Sequence, residues 1–142
     1  MNGTSISRTI RRSERGTAVV EFALVLPLLL MFLFGIMEFG RIMMVNHTLN
    51  NAARAGARIA VLPGSDNDRV LSAINSELSS CGLTLDEYVL DPSDVSTAER
   101  DDPITVTIKI DYESIGFVTG FFPMLTGKQL QGTVVMRKEG FS

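Results

Sequence analysis

The sequence predicts an α+β fold: a long N-terminal helix whose first half lies in a membrane, then a small domain with a short helix and an antiparallel sheet. Three observations carry this. From Thr17 to Met37 the chain is apolar on every face, and Glu21 is its only charge. From Gly40 to Val61, apolar or small residues recur at Ile42, Val45, Leu49, Ala52, Ala53, Gly56, Ala57 and Ala60, close to the helical period. Ile104 to Tyr112 alternates apolar and polar residues as a half-buried strand does.

Thr17–Met37 is 21 residues. As a helix it spans about 31 Å, which matches a hydrocarbon core of about 30 Å. Arg8, Arg11, Arg12 and Arg15 precede it and Glu14 is the one acid among them, so the remainder of the chain holds 9 basic and 15 acidic residues. That asymmetry predicts a cytoplasmic N-terminus and an acidic bulk on the far side. The apolar run is too long for a secretory signal, and Ile36-Met37-Glu38-Phe39-Gly40-Arg41 offers no small-residue cleavage pattern. Pro27 removes one backbone hydrogen bond and is expected to kink or loosen the helix, which membrane helices tolerate. Glu21 is costly, roughly 2.5–3.5 kcal/mol at a bilayer centre and less near the edge, so it requires compensation.

The helical pattern continues beyond the membrane until Pro63-Gly64. A helix from Thr17 to Val61 would be about 68 Å long. Ala52, Gly56 and Ala60 form a small-residue stripe that lets another element approach closely, either this chain's own domain or a second subunit. Asp66 is a candidate N-cap for a helix with Val70, Leu71, Ile74 and Leu78 on its apolar face, ending near Cys81-Gly82. Leu83–Leu90 reads as a first strand, 91–103 as a polar acidic loop, Ile104–Tyr112 as the second strand and Gln129–Arg137 as the last. The apolar segment Phe117–Met124 between them either contacts a partner or caps the small core.

The function classes this excludes are broad. A net charge of −3 carries no nucleic-acid signature. No histidine lies near a nucleophile, and neither a metal-ligand cluster nor a phosphate-binding glycine loop is present, so the chain reads as a non-enzyme without a cofactor. Asp91, Asp94, Glu99, Asp101 and Asp102 lack calcium-loop spacing and read as a solvated loop; Asp66-Asn67-Asp68 fails the same test at Val70. His47, the single histidine, reads as a surface or interface residue. Cys81 is alone, which rules out an internal disulfide; it reads as a small buried apolar residue rather than an intermolecular bridge.

Arg15-Gly16 before Thr17-Ala18-Val19-Val20-Glu21-Phe22 resembles a class III prepilin cleavage site of the type IV pilin superfamily. Its continuation through Pro27-Leu28-Leu29-Leu30, then Gly35-Ile36-Met37-Glu38-Phe39-Gly40-Arg41, then Asn51-Ala52-Ala53-Arg54-Ala55-Gly56-Ala57-Arg58, resembles TadE-like pseudopilins of tight-adherence (Tad/Flp) pili. The resemblance covers roughly residues 14–61. It implies a minor pseudopilin, cut between Gly16 and Thr17 by a prepilin peptidase and assembled with other pilins and pseudopilins into a pilus for adhesion or secretion. Glu21, beside Phe22, would then meet the new α-amino group of Thr17 on an adjacent subunit, and Pro27, Gly35, Ala52, Gly56 and Ala60 would serve helix packing. The implied organisation is a basic leader at 1–16, a transmembrane half of the helix at 17–40, an extramembrane half at 41–62 and a periplasmic domain at 63–142, anchored in inner-membrane lipid. An uncleaved, anchored periplasmic binding module, or a pseudopilin of a related secretion system, is the alternative.

Overall fold

A computed structural model describes residues 10–115 and 127–140, with side chains from residue 16. Its order is α1 (Ile10–Ala60), α2 (Asn67–Ser80), β1 (Glu87–Asp91), a 3-10 turn (Val95–Thr97), β2 (Pro103–Asp111), α3 (Tyr112–Ile115) and β3 (Gln129–Arg137). The fold is α+β, with a long apolar N-terminal helix and a three-stranded antiparallel sheet in the order β1-β2-β3. The chain divides into one unit up to Met37 and a second from Glu38.

The first unit is helix alone. α1 continues through Pro27, and its long apolar side chains face outward, among them Leu24, Leu28 and Phe32. Of the described helices only α1 is long and apolar enough to cross a membrane, and no residue of its most apolar stretch is buried. In water that surface would be strongly unfavourable; in lipid it is matched.

The second unit has a single core. Val45, Leu49, Ala52, Ala53, Ala57 and Ala60 of α1 meet Val70, Ile74 and Leu78 of α2 and Ile104, Val106, Ile108 and Ile110 of β2. β2 is the central strand and alternates buried and half-exposed residues along its length. Two glycines set how closely elements approach. A Cβ on Gly56 would lie 2.7 Å from Ile74 Cγ1, and one on Gly132 of β3 would lie 2.7 Å from the Leu49 carbonyl carbon. The small-residue stripe of α1 therefore packs inside this chain, with Ala52, Gly56 and Ala60 all buried.

α2 begins as its sequence dictates: the Asp66 carboxylate accepts the Arg69 N–H at 2.9 Å. It ends in a Schellman cap. Gly82 takes φ +68, Gly82 N–H donates to Ser79 O at 3.0 Å and Leu83 N–H to Leu78 O at 3.0 Å. This cap corrects two expectations. Leu83 belongs to the helix stop and takes the buried place, while Cys81 at the cap is exposed rather than buried, with its Sγ 3.6 Å from Thr48 Oγ1 of α1. The first strand accordingly starts at Glu87, where pairing with Lys109 begins.

β2 and β3 pair along their full nine-residue lengths, from Pro103 opposite Arg137 to Asp111 opposite Gln129. Tyr112 opens α3 instead of ending the strand. The acidic loop is not wholly solvated, because Val95 is buried inside it. Asp94 caps the 3-10 turn, accepting the Ser96 N–H at 2.9 Å and hydroxyl at 2.7 Å. Those bonds hold its carboxyl below the usual range. Phe117–Met124 lies outside the described residues.

Candidate functional site

No cluster of histidine, cysteine and carboxylate groups among the described residues could hold a metal ion, and the sequence motifs fall on α1, so the site to consider is α1 itself and the groups that fix its ends. Gly16 and Thr17 lie in helical backbone and are exposed. Glu21 follows one turn later, also exposed, and makes no ion pair among the described residues. Phe22 beside it is 61 % exposed. A carboxylate is thus presented from an apolar helix, with nothing in its own described chain to neutralise it. Pro27 is exposed and Gly35 half-buried.

The exit of the apolar run is built differently. Glu38, the next carboxylate after Glu21, is buried at 3 % exposure. The Tyr112 hydroxyl donates to Glu38 Oε1, and Arg41 Nε donates to the Ile115 carbonyl. Glu38 Oε2 has no partner among the described residues. Burial, the bond to Glu38 and the Glu38 charge raise the Tyr112 hydroxyl to about 12, with Arg41 working against them. The phenol therefore stays a donor throughout the neutral range. Glu38 and Arg41 stand three residues apart on one helix face and both hold α3. The sequence reading quoted them within a motif but gave them no role; their spacing straight after the apolar run was the available signal.

At the other end of α1, Lys138 is 7 % exposed. Its Nζ donates to Ala60 O at 3.0 Å and to Val95 O at 3.1 Å. An ammonium at the last carbonyl of a helix is favoured by both the unpaired acceptor and the helix dipole. Sequence reading missed this too, since Lys138 reads as part of a charged tail. His47 is exposed on α1, as are Arg54 and Arg58.

Neither a curated protein nor a solved structure matches the chain. Residues 16–58, from the glycine before Thr17 through the last arginine of α1, match the family model of TadE-like proteins, the family that these motifs resemble.

Proposed function

We propose that this chain is a minor, non-enzymatic pseudopilin of a Tad/Flp-type pilus. A prepilin peptidase cuts it between Gly16 and Thr17, and it assembles from the inner membrane with other pilins into a pilus used for adhesion or secretion. The observation that carries this reading is Glu21, an exposed carboxylate without an ion pair among the described residues, on an apolar helix inside the TadE-like match. Cutting after Gly16 creates an α-amino group with a pKa of about 7.7–8.0, largely protonated at neutrality. The amine of one subunit and Glu21 of the next then offset two poorly solvated charges, and only when the subunits stand in register. The basic leader keeps the N-terminus cytoplasmic until it is removed.

The test is the intact mass and N-terminal sequence of the protein from membranes with and without a prepilin peptidase. A chain starting at Thr17, seen only with the peptidase, is expected. An uncut chain in both makes the protein a permanent membrane anchor, and function then moves to residues 62–142. Gly16→Trp should retain the leader, whereas Glu21→Ala should still be cut yet fail to support pili. Normal piliation with both substitutions would sink the assembly reading.

A further inference from the structure

Arg54 and Arg58 lie one helical turn apart on α1 and are exposed, while Ala53 and Ala57 beside them are buried against the core. Neither arginine makes a hydrogen bond or ion pair among the described residues, where the one salt bridge is Lys109–Glu87. Each guanidinium presents a planar fork of donors suited to a carboxylate. On the same unit, Glu99 and Asp101 are exposed, and neither carboxylate has a partner among the described residues.

The fold sets both patches towards the C-terminal end of α1. Lys138 Nζ is bound to Ala60 O, at the end of the helix just after Arg58. Asp101 N–H donates to Lys138 O at 3.1 Å, so the same residue ties the acidic loop to that end of α1. A second copy packed side by side with a parallel α1, shifted by up to about two helical turns, therefore brings the arginines of one to the carboxylates of the next. The alternative contact, α1 face against α1 face in register, sets Arg54 against Arg54 and is repulsive.

We propose that Arg54 and Arg58 of one copy dock on Glu99 and Asp101 of a second copy of this chain. The two patches differ, so the contact is heterologous and need not close at a dimer; repeated, it builds an open assembly. It deepens the pilus reading by naming a lateral contact outside the membrane. Being exposed, it is screened by salt.

The test uses full-length chains carrying two different tags, co-expressed and captured from detergent-solubilised membranes. Arg54→Glu with Arg58→Glu should lower co-capture roughly tenfold at low salt, and so should Glu99→Lys with Asp101→Asn. Asn is chosen because Asp101 sits at φ +67, a conformation Asn tolerates. Mixing the two variants, one on each tag, makes every contact between unlike copies attractive again, so co-capture should return, which misfolded chains could not do. Arg54→Gln with Arg58→Gln supplies a milder variant with a smaller loss. The proposal is overturned if neither variant lowers capture or if the mixture stays low. It is also overturned if only the arginine variant has an effect, since the acidic partner then lies somewhere other than Glu99 and Asp101. The mass of each captured chain keeps this separate from the pilus reading. Uncut chains that still associate through these charges refute cleavage and leave the contact standing; cut chains indifferent to the charges do the reverse.

Discussion

Tyr112 and Glu38 show how a single pair can hold a helix to a domain. The phenol fills the core at 2 % exposure and donates to a carboxylate that is itself buried. Tyr112→Phe keeps the ring and leaves Glu38 without its donor. It should destabilise the folded domain by about 1–3 kcal/mol, the cost of an orphaned buried acceptor. Thermal unfolding of the full-length protein in detergent reads this directly. The same pair fixes an alkaline limit. Folding raises the Tyr112 hydroxyl from 10.0 to about 12. Its contribution is therefore complete below the unfolded value and is lost as pH rises through the folded one. Stability should fall between about pH 10 and 12, and Tyr112→Phe should remove that part of the decline. A packing test at the same scale concerns Gly132, whose added Cβ would press on the backbone of Leu49 at 2.7 Å. At Gly56 the clash is with the Ile74 side chain instead. Backbone yields less readily than a side chain, so Gly132→Ala should cost more than Gly56→Ala, within about 1–3 kcal/mol each. Paired urea titrations would rank them.

The helices and strands were written in the sequence wherever one local rule acted alone. β3 runs Gln129–Arg137 as its pattern predicts, and α2 follows from Asp66 and the apolar residues at Val70, Ile74 and Leu78. Legibility failed where a helix cap or a distant group overrode the strand pattern. Leu83 looks like the start of a strand, but Gly82 at positive φ commits it to the stop of α2. Tyr112 looks like a strand end, but Glu38, 74 residues earlier in the chain, takes its hydroxyl. Val95 sits in a loop of acids and nonetheless enters the core, and the Lys138 ammonium bonds to its carbonyl. Of the candidate site, Gly16 and Glu21 stand out by spacing; Glu38 does so by its place straight after the apolar run, but its bond to Tyr112 is not legible, and the roles of Gly132 and Lys138 exist only through long-range contacts. Lys138 gives the element-scale prediction. Lys138→Met retains length and apolar volume but leaves the carbonyls of Ala60 and Val95 without that donor. It should lower stability by about 1–3 kcal/mol and loosen the last turn of α1 together with the acidic loop. Hydrogen exchange at residues 57–61 and 95–102 should rise together, whereas independent behaviour of the two segments would show that Lys138 does not couple them.

Across the whole molecule, two kinds of carboxylate sit on one helix and imply two different duties. Glu38 is buried and engaged by Tyr112, so it serves this chain's own fold. Glu21 is exposed on an apolar surface, and its compensation has to come from elsewhere. Under the assembly reading that compensation is the amine of a neighbouring mature chain, and a pH signature follows. The pairing needs the protonated amine, so it is present below the amine's pKa and lost as pH rises through it. An unpaired α-amino group titrates near 7.7–8.0. Filaments sheared from cells should therefore be stable at pH 7 and dissociate progressively above about pH 8–9, with subunits released intact. Dissociation can be followed by the fraction of this chain that remains sedimentable. The amine arises only by cleavage after Gly16, so an uncut chain has no such group at Thr17 and its membrane attachment should not change over that range. Sedimentable protein that is unaffected up to pH 10 in a strain where cleavage is complete would remove the amine–Glu21 pair as the register-setting contact. The lateral arginine–carboxylate contact would then remain the stronger candidate for holding copies in line.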